Sequence, residues 1–340
     1  MALFEALFKP LFSKVFILIY ADNSTCSISV LRFKQNKLIE KISKEFKIPS
    51  RVISTEAIKY IKKYQKRYPF SYIGALNNMP NQGAFGEDFI DQARSDVESF
   101  KDSKELATIM LKDFGVFVSH ADLEAFQKNY SRLNGLDYVF SPFLLLHKII
   151  ESRLNIALKM YVLCEKTNLT ILVANGEGIY FGSYFDLEDY AYQKKKLKEQ
   201  EAKDNEIQKS EESEDEKEEL ELDDDFYDDS DFDDDIEDLD LDVLQKAANE
   251  NKVEIPKEMQ QAALQAQQLS EILQNTLRDF YDLGGDFIEE ILLFDATDIT
   301  QENLSKIQDS MLMDISREEV NIKHQLSLLI INEYKAANEI

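Results

Sequence analysis

An α/β protein in two lobes, with a long acidic insertion in the second, is the fold class this sequence predicts. Three observations lead there. Strand-like apolar runs alternate with stripes at helical spacing along most of the chain. Two separated stretches, at 16–33 and 161–184, each begin with a strand, a polar Ser/Thr turn and a returning strand. Charge is concentrated: of a formal −26, the window Glu211 to Asp242 carries −20, with 21 carboxylates beside the single Lys217, which leaves −6 elsewhere. With 340 residues, 44% of them hydrophobic, the chain can bury the core of two ordinary domains or of one two-lobed fold.

The elements follow in order. Leu3, Phe4, Leu7, Phe8, Leu11 and Phe12 recur at helical spacing, interrupted by Pro10, and are expected to pack on the domain's own core or to dock on a bilayer or partner. Phe16 to Tyr20 reads as a buried strand, Ala21 to Ser24 as a turn and Ser27 to Phe33 as the returning strand; Leu38 to Phe46 continues the meander, although its spacing also fits a helix. Ser54 or Thr55 caps a helix striped by Ala57, Ile58, Ile61 and Tyr64, which Pro69 ends before a strand at Phe70 to Leu76. Strands are expected at Val116 to Val118 and Tyr138 to Phe140. Ser141 and Pro142 start a helix through Ile150 towards Leu158. A meander follows at Tyr161 to Cys164, Leu169 to Ala174 and Ile179 to Tyr184, turning at Asn175-Gly176.

No glycine occurs from Ser183 to Leu283, and residues 194–251 are low in complexity. So acidic a run cannot repay its ordering entropy, and disorder is expected over 194–251. A helix resumes at Pro256, with Leu269, Leu273, Leu277 and Phe280 on one face and Gly284 at its end, then a strand at Ile288 to Phe294. Ser316 and Glu319 are spaced as a capping box for a last helix ending near Tyr334. The predicted domains are 1–150, a first lobe with an inserted subdomain at about 51–137, and 151–340, a second lobe carrying the acidic insertion.

Composition excludes several functions. The body is mildly acidic and its one short basic run is Lys194 to Lys198, so no nucleic-acid partner is expected. Cys26 and Cys164 cannot make a disulfide framework, and read as strand-core residues in a reducing compartment; His120, His147 and His324 are too scattered for a metal site. No apolar run approaches the ~20 residues of a spanning helix, and the start lacks the pattern of a secretory signal, so a cytoplasmic protein is expected. No cofactor is expected.

The order of elements, with the Thr167-Asn168-Leu169 turn, the Tyr180-Phe181 strand after Asn175-Gly176 and the late helix, resembles the actin-like (RNase H-like) fold. More narrowly it resembles the PilM family, actin-like proteins at the cytoplasmic face of type IV pilus machines, related to the cytoplasmic domain of the secretion protein GspL. Active members of the fold close glycine-bearing turns around nucleotide phosphates while an acidic residue organises Mg²⁺. Laid on that pattern, Tyr20 stands for the first acidic residue and Asp22 for the glycine, beside Ser24 and Thr25. Tyr161 and Leu163 replace the second pair before Thr167 and Asn168, and Phe294-Asp295 stand for the Gly-Gly pair at the adenine. In the alternative phase, Asp22 and Glu165 are the two carboxylates. Without turn glycines the backbone cannot approach a phosphate at low strain, so the resemblance implies a degenerate nucleotide cleft, no catalytic residues and a pseudo-ATPase.

The function implied is a cytoplasmic adaptor, peripheral at the inner membrane, that binds the N-terminal peptide of a bitopic protein and scaffolds a pilus, secretion or flagellar-motor complex; a ring or other homo-oligomer is compatible with that role. Tyr64, Tyr68, Phe70 and Tyr72 are the candidate peptide contacts, with core packing as their alternative fate. Phe226, Tyr227 and Phe232 in the acidic run are the alternative recruiting element, aimed at a basic partner. An active ATPase of the same fold is the competing function.

Overall fold

The computed structural model describes residues 12–35, 37–49, 51–86, 106–111, 114–196 and 257–338, with the backbone alone at 257–261 and 338. The stripe from Leu3 to Leu11, Pro256, and the acidic run with Phe226, Tyr227 and Phe232 lie outside the described residues. Residues 194–196, placed in the insertion by composition, still belong to a helical stretch at 187–196, where Lys194 pairs with Glu271 at 2.5 Å.

Strands β1 (Lys14–Ala21), β2 (Thr25–Lys34) and β3 (Lys37–Lys47) form the expected antiparallel meander. The helix reading of Leu38 to Phe46 fails because residues along β3 pair with β2 throughout, and a ladder satisfies the backbone that an isolated amphipathic turn would leave half exposed. Helix α1 (Thr55–Arg67) starts where the Ser54 side chain accepts the Ala57 N–H, and it buries Ala57, Ile58 and Ile61. Each fully buried isoleucine contributes on the order of 1.5–3 kcal/mol. Strand β4 (Phe70–Leu76) then runs parallel to β1, and after a long excursion β8 (Tyr138–Phe140) runs parallel to β4. The first sheet has the order β3-β2-β1-β4-β8.

The second half repeats this plan. Strands β9 (Lys159–Cys164), β10 (Asn168–Asn175) and β11 (Gly178–Asp186) are an antiparallel meander. Strand β12 (Glu290–Asp295) runs parallel to β9, and β13 (Ile315–Glu319) parallel to β12. Their order, β13-β12-β9-β10-β11, is that of the first sheet read from its other edge. The two sheets are a duplicated α/β unit, and the fold is the expected two-lobed, actin-like one.

Three cores result from strict alternation along strands that are buried on both faces. Val15, Ile17 and Ile19 face outward to α1 and to α2 (His120–Asn129), while Phe16 and Leu18 face the centre of the molecule. Met160 and Val162 face outward to α4 (Lys257–Asp282) and α5 (Gln301–Met311), while Tyr161 and Leu163 face the centre. The helices α3 (Pro142–Ile150) and α6 (Ile322–Asn338), each following the last parallel strand of its sheet, fill the space between the sheets with Leu145, Leu146, Leu326 and Ile330.

Several expectations are corrected. The helix begun at Ser141 stops at Ile150, followed by a 3₁₀ turn at Glu151–Arg153, rather than running towards Leu158. The Asn155 carbonyl, at the place where a longer helix would run, accepts the Gly176 N–H of the β10–β11 turn instead. Ser316 and Glu319 lie within β13 and form no capping box; Asn321 caps α6, its side chain accepting the His324 N–H at 3.0 Å. The parallel ladder offered by β12 outweighs the local capping pattern. The described residues of the region at about 51–137, expected as an inserted subdomain, divide between the two sheets, and α1 and β4 belong with the first. Strands β5 (Gln82–Phe85), β7 (Gly115–Ser119) and β6 (Leu106–Met110) join the second sheet through β11, to give the order β13-β12-β9-β10-β11-β5-β7-β6. Gly182 permits that junction, since a Cβ there would meet Ala84 at 2.8 Å and Leu172 at 2.9 Å.

Candidate functional site

The C-terminal ends of β1, β9 and β12 come together between the lobes, where Tyr20 bonds to Glu165 and Cys164 lies 4.0 Å from Thr297. In the first turn the Asp22 N–H donates to the Thr25 carbonyl at 2.9 Å. In the second, the Glu165 N–H donates to the Asn168 carbonyl, also at 2.9 Å. This shared bond fixes the register of the duplication: Asp22 corresponds to Glu165, Ser24 to Thr167 and Thr25 to Asn168. Tyr20 therefore corresponds to Leu163, and the matching of Tyr20 with Tyr161 is corrected.

Asp22 turns its carboxylate back onto its own turn. One oxygen accepts the Ser24 N–H at 2.7 Å, the Thr25 N–H at 2.6 Å and the Ser24 hydroxyl at 3.2 Å; the other accepts the Thr25 hydroxyl at 2.7 Å. Burial alone would raise this carboxyl, but the bonds from Thr25 and Ser24 outweigh it and hold it below the ordinary range. Asp295 does the same after β12. Its oxygens accept the Thr297 N–H, the Thr297 hydroxyl and the Ile299 N–H, each at 2.7 Å, and Arg317 from β13 closes on it at 2.7 and 2.8 Å. Asp186, at the end of β11, accepts the Glu188 and Asp189 N–H groups at 3.0 and 3.1 Å and so caps the helical stretch behind it.

Glu165 is different. It is 1% exposed, its side chain accepts the Tyr20 hydroxyl, and burial pushes its carboxyl up to about 7, with the Tyr20 bond opposing and the nearby Asp22 charge adding to the shift. Burial raises the Tyr20 and Tyr184 hydroxyls well above their usual value, with the Glu165 charge adding to both. Glu165 Oε1, Thr167 Oγ1, Asn168 Oδ1, Thr170 Oγ1 and the Tyr184 hydroxyl are all buried here without a hydrogen-bond partner among the described residues.

Arg51 joins the lobes beside the first of these turns. Its backbone is left-handed, at φ 63°, and its guanidinium donates to the Asn23 side chain, to the Asn78 carbonyl at 3.1 Å and to the Asp186 carboxylate. Asn23 and Asn78 belong to the first lobe and Asp186 to the second. Neither Arg51 nor Asp186 carried a sequence signal, because a lone arginine and a lone aspartate 135 residues apart show no pattern until the chain is folded.

Of the expected cleft residues, the fold brings Tyr20, Asp22, Ser24, Thr25, Thr167, Asn168 and Asp295 to these strand ends. Tyr161 and Phe294 are instead packed in the central core, 0% and 1% exposed, with Arg153 stacked 5.2 Å from the Phe294 ring centroid. The expected peptide contacts are divided. Tyr64 and Tyr68 continue an aromatic row from Tyr60 on the outer side of the first sheet, whereas Tyr72, on its inner side, packs on Phe16 and Tyr334 at 5.6 and 5.0 Å. Phe70 shares the inner face with Tyr72 by strand alternation, so the four residues do not line one groove. The basic character missed from sequence lies on α1, where Lys59, Lys62, Lys63, Lys66 and Arg67 are exposed. Among the described residues no group of three or more His, Cys, Asp or Glu side chains is placed to hold a metal ion, and no helix is long and apolar enough to cross a membrane. Cys26 and Cys164 are buried strand residues whose thiols burial pushes up to about 12.

Two family models match the chain. Residues 12–147 match the one described as Domain of unknown function (DUF8569), and residues 160–335 the one described as Domain of unknown function (DUF8341). No curated protein matches the sequence. Similar solved structures include a Bacteroides thetaiotaomicron protein with an actin-like ATPase fold and unknown function, at 11% identity and TM-score 0.42, over 93% of this chain and 96% of that one. A PilM–PilN type IV pilus biogenesis complex matches at 11% identity and TM-score 0.47, over 92% and 89%. The activator of 2-hydroxyisocaproyl-CoA dehydratase from Clostridium difficile, with bound ADPNP, matches at 8% identity and TM-score 0.40, over 96% and 97%.

Proposed function

The chain belongs to the DUF8341 family, which it matches over residues 160–335, and from that premise we propose that it is a non-catalytic actin-fold adaptor. One observation carries the reading. In the first turn, the N–H groups of Ser24 and Thr25 that could cradle a phosphate are already held by the Asp22 carboxylate. A phosphate approaching this turn meets a fixed negative charge where it needs donors, and displacing the carboxylate would leave that charge buried. The loop after β12 is closed in the same way by Asp295.

An actin fold without phosphate turns retains two lobes, exposed surface and no chemistry, which suits a scaffold. The adaptor binds the cytoplasmic N-terminal peptide of a bitopic inner-membrane protein, is held at the membrane through it, and supports assembly of a pilus-type machine. The second reading, an ATPase of the same fold, is favoured by Glu165, a buried carboxyl pushed up to about 7 and so suited to a general base. Phosphate release from Mg-ATP separates the two. The expected rate equals the buffer blank; release above it that Asp22→Asn or Glu165→Gln abolishes would sink the non-catalytic reading.

A further inference from the structure

At the other end of the second sheet's parallel strands, the N-terminal ends of β9, β12 and β13, three loops close on one another. The Glu289 N–H donates to the Leu158 carbonyl at 2.9 Å and the Ile291 N–H to the Asp314 carbonyl at 3.0 Å. Between them lies a groove of about 540 Å³. Each loop also carries, within two residues of one that lines the groove, one large exposed apolar side chain: Ile156, Phe287 and Leu312, exposed to 95%, 76% and 92%. They are the three most exposed large apolar side chains among the described residues.

Local stability does not account for Leu312. Leu312 caps α5 in a left-handed conformation, φ 50°, a position where glycine or asparagine is less strained. A leucine there gives up backbone comfort to hold a bare isobutyl group in water.

The groove itself is acidic. Glu289, Glu290 and Asp314 line it with one cation, Lys159, which is already committed to Glu290 at 2.8 Å. Ser316 donates to the other oxygen of Glu290 at 2.6 Å. Glu289 and Asp314 are exposed and form no ion pair with any described residue.

We propose that this groove seats a basic, amphipathic peptide from the cytoplasmic juxtamembrane segment of a single-span membrane protein. The proposal rests on the adaptor reading and assigns it a seat. Such segments combine an excess of Lys and Arg with apolar residues next to the span, matching the carboxylates of the groove and the exposed apolar residues of its loops in turn. The chain's own acidic run carries the wrong sign. A second copy meets the charge through Lys59, Lys62, Lys63 and Lys66 of α1, but Ala57, Ile58 and Ile61 of that helix are buried and leave the exposed apolar residues of the loops unmatched.

The experiment places a photo-crosslinking phenylalanine at 287, at 312 and, as comparison, at 64 and 72 of the full chain in its own cells. Crosslinks from 287 and 312 into a Lys/Arg-rich cytoplasmic segment of a single-span protein are expected. A synthetic peptide of that segment should bind at least tenfold more weakly to the Glu289→Lys, Asp314→Lys double variant, and exchanging the peptide's cations for Glu should restore binding. If a single-span protein co-purifies but crosslinks arise only from 64 or 72, the groove is wrong and the adaptor reading stands. Crosslinks from 287 and 312 only to a second copy make the groove a self-interface and overturn the proposal. If no single-span protein co-purifies, the adaptor reading falls with it.

Discussion

At the scale of single residues, Glu165 is the group whose ionisation is most informative. Its folded carboxyl titrates near 7, whereas an exposed glutamate in the unfolded chain titrates near its ordinary value of about 4.3. Between those values the folded protein binds a proton that the unfolded chain has lost. The resulting stability is fully present below about pH 4 and is lost as pH rises through about 7. Asp22 acts in the opposite direction at the acid end, because its folded carboxyl is held low and its contribution is lost as pH falls. Denaturation measured from pH 5 to 8 isolates Glu165. Wild-type stability should fall by about 1–3 kcal/mol over that range from this group, and Glu165→Gln should remove most of the slope. An unchanged slope in the variant would mean that Glu165 is ionised in the fold.

At the scale of elements, legibility tracked whether an element was decided by its own residues. The β9–β10–β11 meander and α1 were readable because the alternation, the Asn-Gly turn and the Ser54 cap are local. Ser316 and Glu319 misled because their spacing is also local, while the force that wins, the ladder from β12, comes from residues 24 positions away in sequence: Leu292 stands opposite Ser316 and Asp295 opposite Glu319. The true cap can be tested. Asn321→Ala should cost about 1 kcal/mol of stability, and Ser316→Ala, which removes an exposed bond to Glu290, less than about half of that. The reverse order in chemical denaturation would restore the capping box. The cleft was legible in part for the same reason. Asp22, Ser24 and Thr25 form a local turn, but setting its register against the second turn needed the two backbone bonds that only the folded chain displays.

At the scale of the molecule, the lobes are tied three ways. Helices α3 and α6 belong to a core shared by both sheets, β5 to β7 extend the second sheet from the first half of the chain, and Arg51 bonds to both lobes. Unfolding in urea should therefore show one transition, coincident by far- and near-ultraviolet circular dichroism, despite the two-lobed form. Arg51→Ala leaves the Asp186 carboxylate, 4% exposed, without its cation, and should lower stability by about 2–4 kcal/mol while keeping a single transition. Arg51→Lys should recover little, since one ammonium cannot reach three acceptors arranged for a planar fork. Two separated transitions in the Arg51→Ala variant would instead make that residue the main coupling between the lobes.

The pairing of β5 with β11 also sets a clock for the newborn chain. Gly83 and Phe85 must wait for Ser183 and Phe181, about 100 residues later, so at roughly 5–20 residues per second the strand leaves the ribosome some 5–20 seconds before its neighbour exists. Strand β9 waits longer still for β12, whose residues follow the whole acidic run. Through that interval the nascent protein carries the edges of β5 and β9 without the strands that pair with them in the fold. Slowing translation ahead of Phe181 should increase the fraction lost to aggregation, whereas a pause after β13 has emerged should not.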